Sequence, residues 1–429
     1  VPPGVRGRSG ATIRVRAAAA RSSRNVTEPE PLAVTRLSVP GFRAAGVRCG
    51  IKAKGSDLAL MVSDDPAAWA GVFTQSSVVG APVEWSRARV RKGLGRGIVV
   101  NSGISNVAAG AQGRRNAREM AQLAAREIGC RTDEICVAST GVIGEPLPME
   151  RLRSGIPEAA SALSVAGWAG AAEAIRTTDT FAKTATVRAK VGGRWIRVLG
   201  IAKGSGMIEP RMATMLAFLV TDALVSPAQL RRVLRRTSNI SFNRVTVDGE
   251  TSTSDMALLL ANGRAGNARI AGDRDPGAAQ FEEAIAKVAT SLARDLARDG
   301  EGATKLVDVE VRGARNRAEA EIAVRRIANS MLVKTAIHGG DPNWGRILQT
   351  VGAAGVTVRL ARAEVRVGTA RVFSMGEPTR GAALRRAEKH LQGREVRLSV
   401  DLGAGRAVDR IWTCDLSRDY VRINADYTT

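Results

Sequence analysis

One stretch of the chain, residues 203–222, constrains the fold more than any other. It begins as a glycine loop with Gly204 and Gly206, and it continues into an apolar run over residues 215–220 with polar residues on both sides. An apolar run of this length predicts a buried strand. Thr214 stands at the start of the run, behind the small residue Ala213. By its spacing alone, Thr214 is most simply a β-branched residue that favours a strand.

Strands and helices are predicted along the whole chain. The further strands fall at residues 58–63, 97–101, 134–139, 244–247, 304–311, 355–367, 395–401 and 419–424, and the helices at 114–128, 226–237, 277–298 and 380–392. A hairpin is predicted over residues 182–200, because Gly192-Gly193 suits a two-residue connection. Interspersed strands and helices indicate an α/β or α+β protein.

The length and charge of the chain limit its function classes. A chain of 429 residues can bury a sizeable core in two domains or in one large α/β unit. The net charge of +23 invites a nucleic-acid interpretation, but aromatic residues make up only 3% and cannot supply stacking platforms. We therefore expect no nucleic-acid partner. No apolar run approaches the roughly 20 residues that cross a bilayer, so we also expect a soluble protein without a membrane span.

Histidine and cysteine are too sparse for several familiar sites. The four cysteines form no CxxC pair, which favours free thiols in a reducing compartment over a zinc or thioredoxin site. His390 is predicted to be solvated on a charged helix face, and His338, before two glycines, to lie on a turn surface. We therefore predict no metal site, and a Ser-His-Asp triad would need one of these two histidines.

The first 27 residues contain six arginines and no acidic residue. This composition is typical of an organelle transit peptide, the alternative being a disordered basic tail. We predict that residues 1–32 are a transit peptide and linker and that the destination is the chloroplast, with the mitochondrion as the alternative.

Several motifs, taken together and in order, resemble those of one enzyme family. They are Ala138-Ser-Thr-Gly-Val-Ile-Gly144, Thr177-Thr-Asp-Thr180, Lys203-Gly-Ser-Gly-Met-Ile208, Met212-Ala-Thr-Met-Leu-Ala-Phe218, Phe242-Asn-Arg-Val-Thr-Val-Asp-Gly249, Glu301-Gly-Ala-Thr-Lys305, Asp341-Pro-Asn-Trp-Gly-Arg346 and Tyr420-Val-Arg-Ile-Asn-Ala-Asp-Tyr-Thr-Thr429. From about Gly50 to Thr429 the chain resembles the ornithine acetyltransferases, also called glutamate N-acetyltransferases or the ArgJ family. The resemblance implies an α/β sandwich of sheets and helices that looks like the N-terminal-nucleophile hydrolases.

The resemblance also implies that the chain cleaves itself between Ala213 and Thr214. The products would be an α chain of residues 33–213 and a β chain of residues 214–429, assembled as a heterotetramer of two α and two β chains. Thr214 would then be the nucleophile that carries an acetyl group from N-acetylornithine to glutamate. Its freed α-amine would accept the hydroxyl proton near neutral pH, because the ordinary pKa of such an amine is about 7.7 to 8.0.

The remaining site residues are likewise implied by the family's motifs. Thr140 and Gly141 match an oxyanion hole made of a hydroxyl and a backbone N–H, although without the family a plain strand-to-turn glycine is the preferred interpretation. The residues matched to substrate contacts are Thr177, Lys203, Thr214, Glu301, Asn424 and Thr429. Lys203 suits a carboxylate and Glu301 suits the ammonium group of ornithine. A strand end and a loose tail are the simpler interpretation of Asn424 and Thr429.

The resemblance implies no cofactor, and it leaves acetyl-CoA open as a second acetyl donor. It thus predicts a glutamate N-acetyltransferase of arginine biosynthesis, with or without an additional amino-acid N-acetyltransferase activity. The alternative function is an N-terminal-nucleophile aminopeptidase or amidase of the same architecture, which would pass the acyl group to water.

Overall fold

Two β-sheets and the helices packed on them form the described part of the chain, which is residues 37–209 and 215–426 of a computed structural model. The strands are β1 Phe42–Val47, β2 Leu58–Phe73, β3 Leu94–Ile104, β4 Ile135–Val142, β5 Lys183–Val191, β6 Arg194–Lys203, β7 Leu216–Thr221, β8 Met256–Ala261, β9 Leu306–Ala314, β10 Glu364–Val367, β11 Ala370–Ser374, β12 Glu377–Pro378, β13 Glu395–Asp401 and β14 Ala407–Cys414. The helices are α1 Ala81–Val90, α2 Gly110–Ile128, α3 Met149–Ser161, α4 Trp168–Ala174, α5 Pro227–Ile240, α6 Ala278–Arg298, α7 Arg317–Asn329, α8 Met331–His338, α9 Trp344–Gly352, α10 Ala382–Leu391 and α11 Arg418–Asp426.

The first sheet has the strand order β4-β3-β2-β8-β7-β6-β5, with β1 paired to β2. The long strand β2 connects its two halves. Residues 58–63 of β2 pair with β1, and residues 68–73 pair with β8. The register with β3 shifts between Val62 and Ala67, as expected where a strand bends.

The two halves of the first sheet pack face to face. One buried cluster joins Met61 and Val100 of the first half to Leu199, Phe218 and Leu258 of the second. The outer face of the first half is covered by α2 and α3, and that of the second half by α5 and α6. This arrangement of helix, sheet, sheet and helix confirms the predicted α/β sandwich.

Strand β7 shows why its sequence is continuously apolar. Leu216 and Phe218 point into the core between the two half-sheets, whereas Ala217 and Leu219 pack towards the helices. All six residues of the strand are buried. Burial on both faces removes the polar alternation that a half-exposed strand would show.

The second sheet has the order β12-β11-β10-β13-β9-β14 and buries a separate cluster with α7, α8, α9 and α10. Along β13, buried residues alternate with exposed or partly exposed ones. Val396, Leu398 and Val400 enter the cluster. This sheet therefore has one covered face, as antiparallel and mixed sheets often do.

Most predicted elements are confirmed, but three strands were wrong. Residues 244–247 form no strand: a short 3₁₀ turn ends at Arg244, and Val245 makes one isolated bridge to Trp412. Residues 419–424 lie in the helix α11. Of residues 355–367, only β10 is a strand.

Both predictions for the histidines need correction. His338 is exposed, as predicted, but it is the last residue of α8 rather than part of a turn, and its Nδ1 lies 2.7 Å from Asp415 Oδ2. His390 is half-buried, and its Nε2 accepts a 2.9 Å hydrogen bond from the Arg397 backbone N–H. Burial lowers the pKa of His390, and Arg397 adds to the shift.

The four cysteines Cys49, Cys130, Cys136 and Cys414 are free thiols, as predicted. Within residues 37–209 and 215–426, no helix is both long enough and apolar enough to span a bilayer. The predicted transit peptide and linker, residues 1–32, lie outside the described residues.

Candidate active site

A cavity of about 450 Å³ opens where strand ends and loops of the first sheet meet. Thr140 and Gly141 reach it from β4, and Lys203 from the last position of β6. The cavity is also lined by Thr177 and Thr178, the glycine loop with Gly204 and Gly206, Met215 and Leu216, residues 248–255 apart from Gly249, Glu301, and Tyr420 and Asn424 of α11. Elements that are far apart in sequence thus bring hydroxyl, ammonium and carboxylate groups to one place.

Lys203 brings a positive charge to this cavity. Its Nζ donates to Thr177 Oγ1 at 2.7 Å and to Thr140 Oγ1 at 3.2 Å. The same Nζ lies 4.0 Å from Asp179 Oδ2. A lysine ammonium has three hydrogens, so one remains for a further acceptor such as a carboxylate.

Asp179 organises the loop beside Lys203. It accepts hydrogen bonds from the Gly204 backbone N–H at 2.6 Å and from the Thr177 backbone N–H at 3.1 Å. Lys183 joins it at 2.7 Å and also bonds to Asp299 at 2.5 Å. The glycine loop, the Thr177 backbone and the end of α6 are therefore tied to one buried charge network.

Burial and charge shift the pKa values of this network in opposite directions. Burial lowers the pKa of Lys203, although Asp179 partly opposes the shift. Burial by itself raises the pKa of Asp179, but Lys203 and Lys183 outweigh it and hold that pKa below its ordinary range. Asp179 is thus ionised at neutral pH, and it supports the charged form of Lys203.

Thr140 and Gly141, the residues matched to an oxyanion hole, both line the cavity near the end of β4. Because Thr140 Oγ1 accepts from Lys203, its own hydroxyl hydrogen is left to donate elsewhere. Gly141 has φ of +126°, and a Cβ there would lie 2.3 Å from the Gly103 carbonyl carbon. Only glycine fits this close approach of β3 and β4.

Glu301 is one of four acidic residues, with Asp248, Glu250 and Asp255, that line the described part of the cavity. Its backbone N–H bonds to Ser205 O at 2.8 Å, and its carboxylate packs on the glycine loop so closely that a Cβ at Gly206 would lie 2.3 Å from Oε2. Asn424 Nδ2 donates to Glu301 Oε2 at 2.9 Å. Helix α11 thereby contacts Glu301, one of the residues that the family's motifs match to substrate contacts.

The cavity brings together six of the residues predicted from the family's motifs. These are Thr140, Gly141, Thr177, Lys203, Glu301 and Asn424. The predicted cleavage residues Ala213 and Thr214 and the predicted substrate contact Thr429 lie outside the described residues. The role of each residue stays a prediction.

Comparison with known proteins identifies the family. Residues 43–429 match the model of the ArgJ family. The chain belongs to the ArgJ family. A relative from Symbiobacterium thermophilum, named arginine biosynthesis bifunctional protein ArgJ, is 48% identical over 395 residues, which cover 91% of this chain and 97% of the relative. A relative of the same name from Geobacter sulfurreducens is 48% identical over 394 residues, covering 92% of this chain and 100% of the relative.

One solved structure from the family is ornithine acetyltransferase complexed with ornithine, from Mycobacterium tuberculosis. It is 35% identical, covers 43% of this chain and 97% of that chain, and has a TM-score of 0.40.

The sequence-based prediction missed several residues around the cavity of this ArgJ-family chain. Asp179 lies within the Thr177-Thr-Asp-Thr180 motif, yet its partners Lys183 and Asp299 carry no motif that points to them. Asp248 was also missed, and it accepts from the backbone N–H groups of Met207 and Ile208 at 2.7 and 2.8 Å. Its place in the Phe242-Asn-Arg-Val-Thr-Val-Asp-Gly249 motif was the available signal.

Tyr420 was likewise missed. Its hydroxyl lies 3.5 Å from Asp248 Oδ2 at the cavity wall. Burial raises the pKa of Tyr420, and Asp248 and Glu301 add to the shift. The hydroxyl is therefore protonated at neutral pH and acts as a donor.

Proposed function

We propose that this chain is a glutamate N-acetyltransferase of arginine biosynthesis that works through an acetylated Thr214. The observation that carries the proposal is the convergence of Thr140, Lys203 and Glu301 on one cavity in a chain of the ArgJ family. The names of the relatives, arginine biosynthesis bifunctional protein ArgJ, support the transferase over the aminopeptidase alternative.

The first proposed step is self-cleavage. Thr214 Oγ attacks the carbonyl carbon of Ala213, the C–N bond breaks, and the α-amine of Thr214 takes up the proton. Water then hydrolyses the resulting ester and frees the hydroxyl. This order matters because the amine is an amide nitrogen, and no base, until the bond before Thr214 is cut.

The second step is transfer of the acetyl group. Thr214 Oγ attacks the acetyl carbonyl of N-acetylornithine, its proton passes to the α-amine, and ornithine leaves with that proton on its nitrogen. The amine nitrogen of glutamate then attacks the acetyl ester, its proton passes through the α-amine to Thr214 Oγ as the ester C–O bond breaks, and N-acetylglutamate departs. The Thr140 hydroxyl and the Gly141 N–H stabilise the oxyanion in both halves of the reaction, at about 2.7 to 4 kcal/mol per donor in a well-studied enzyme.

The charges in the cavity suit amino-acid substrates. Lys203 would hold the α-carboxylate, which both substrates carry. Glu301, with Asn424 beside it, would hold the side-chain ammonium of ornithine. Tyr420 and Asp248 complete the polar wall.

The first prediction tests the nucleophile. Purified protein should separate into two fragments, and sequencing of the β fragment should begin Thr-Met-Leu-Ala-Phe. Thr214→Ala removes the hydroxyl, so that variant should remain one chain and be inactive. Thr214→Ser keeps a hydroxyl without the methyl group that restricts its rotamer, so it should cleave and turn over slowly. An uncut wild-type chain with full transferase activity would contradict the mechanism.

We also propose acetyl-CoA as a second acetyl donor, supported by the word bifunctional in the relatives' names. Radiolabelled acetyl-CoA with glutamate should then yield labelled N-acetylglutamate, and the Thr214→Ala variant is the control. Absence of labelled product with active enzyme would leave N-acetylornithine as the donor.

Two further proposals concern location and assembly. The arginine-rich, acid-free residues 1–27 support import into a plastid, and a fluorescent fusion of this leader that stayed in the cytosol would contradict it. We propose a heterotetramer of two α and two β chains, which sedimentation of the cleaved enzyme would test.

A further inference from the structure

Glu209 is anchored far more firmly than its position in a loop requires. Its carboxylate accepts a hydrogen bond from Asn329 Nδ2, and Arg325 Nη1 lies 3.4 Å from its other oxygen. Its side chain is only 9% exposed and that of Arg325 only 14%. Both partners come from α7, the helix that covers the second sheet.

The partners of Glu209 are themselves held in place. Thr246 Oγ1 donates to Asn329 Oδ1 at 2.6 Å, which orients the amide so that its nitrogen faces Glu209. Arg325 Nη2 donates to the Asn243 carbonyl at 2.9 Å. A buried carboxylate with charge-assisted partners of fixed geometry is costly to disturb, because breaking the set leaves a charge uncompensated.

The backbone of Glu209 is fixed as well. Its N–H donates to Glu250 O at 2.7 Å, and its carbonyl accepts from Thr251 Oγ1 at 3.0 Å. Side chain and backbone are thus both tied to residues that follow Thr214 in the sequence. Glu209 itself precedes the proposed scissile bond between Ala213 and Thr214.

We infer that Glu209 is a positioning residue for self-cleavage: its bonds to Arg325 and Asn329 fix the chain just before the scissile bond. The inference rests on the proposed self-cleavage. Self-cleavage requires the Ala213 carbonyl to meet the Thr214 hydroxyl, and an anchor on the upstream side restricts where that carbonyl lies. Because Arg325 and Asn329 are both on α7, self-cleavage would also require α7 to be folded in place. A chain whose second sheet is unfolded should therefore stay uncut.

The chain offers a matched control for this anchor. Arg325 also contacts a second carboxylate, since its Nε lies 3.5 Å from Glu321 Oε1. Glu321 is 44% exposed, so Glu321→Gln removes a carboxylate from the same arginine without touching the upstream segment. Glu209→Gln removes the charge of the anchor at nearly constant size.

The experiment follows pulse-labelled full-length chains, made by cell-free translation, as they convert into two fragments. Glu209→Gln should slow this conversion roughly 10- to 100-fold, because misplacing a reacting group by about 1 Å costs about 10²-fold. Glu321→Gln should stay within about twofold of the wild type, as exposed pairs contribute little. Once cut, Glu209→Gln should have wild-type kcat and KM, because Glu209 lines a separate cavity of about 430 Å³.

Each alternative outcome has a defined meaning. A wild-type cleavage rate in Glu209→Gln overturns the inference, and so does an equal slowing by Glu321→Gln. An uncut wild-type chain contradicts the proposed self-cleavage instead. If Glu209→Gln lowers the unfolding midpoint of the uncleavable Thr214→Ala variant, Thr246→Val decides instead. This variant keeps Glu209 but removes the hydroxyl that contacts Asn329, the Glu209 carboxylate and the Ile208 carbonyl. Thr246→Val should slow cleavage, and a wild-type rate there overturns the inference.

Discussion

Two ion-pair networks, one beside the cavity and one between α6 and β13, differ in how far their side chains are exposed to solvent. At the cavity end of the first sandwich, Lys183 bridges Asp179 and Asp299, and all three side chains are at most 2% exposed. At the N-terminal end of β13 in the second sheet, Glu395 is 56% exposed and pairs with Arg294 and Arg298. Burying charge is expensive and exposed pairs contribute little, so the first network must be held by many contacts and the second need not be. The costly network is the one that supports Lys203.

The most destructive change should be Lys183→Met. It leaves Asp179 and Asp299 buried without their shared cation, and breaking a buried pair typically costs about 3 to 5 kcal/mol. Urea unfolding in the Thr214→Ala background, where every chain is uncut, measures the free energy directly. If Lys183→Met lowers the free energy of unfolding by less than an exposed ion pair contributes, the buried network is not more important for stability than the exposed one.

Thr140→Ala separates chemistry from stability within the same region. The hydroxyl accepts from Lys203 and, as an oxyanion donor, is expected to account for roughly 10²- to 10³-fold in kcat. The unfolding midpoint should change much less than in Lys183→Met, because Lys203 keeps Thr177 and Asp179 as neighbours. Steady-state kinetics at saturating N-acetylornithine and glutamate measure kcat, and wild-type turnover would reduce Thr140 to a strand-end residue.

The smallest effect is expected for Glu395→Gln in the second sheet. Both arginine partners are solvated, so the pair should contribute about 0 to 1 kcal/mol and less at high salt. The same urea titration used for Lys183→Met serves as the measurement. A loss as large as that of Lys183→Met would show that exposure does not distinguish the two regions.

The elements that were predictable from sequence are those whose signals lie within a few neighbouring residues. Strand β7 was predicted because burial on both faces makes its residues uniformly apolar. Helix α5 was predicted from Ser226, whose hydroxyl does accept from the Gln229 backbone N–H. Such signals are local, and the structure preserves them.

The errors arise where tertiary contacts override local preference. Val245 and Val247 favour a strand. In the structure they lie in a loop, their side chains are buried in the cluster beneath α5 and α6, and the backbone N–H groups of this loop donate to the carbonyls of Trp412 and Ile208. In α11, β-formers such as Val421 and Ile423 are outweighed by a start signal, because Ser417 Oγ accepts from the Asp419 backbone N–H. Part of that signal was readable from the sequence.

For the site, the family's motifs identified six of the residues around the cavity, but not the network behind them. Asp299 lies 116 residues from Lys183, and no periodicity or motif connects the two. A sequence shows which side chains are available, whereas a buried ion pair is defined only when the fold brings its members together. Part of the cavity wall was therefore predictable by resemblance, whereas the buried ion pairs that support it were not.

The central claim is that a threonine freed at the start of the β fragment carries the acetyl group into this cavity. The most direct measurement is the mass of the β fragment after incubation with N-acetylornithine and no glutamate. The account predicts that the fragment gains one acetyl group on Thr214 and loses it, as N-acetylglutamate, when glutamate is added. A β fragment that stays unmodified while the enzyme turns over would contradict it.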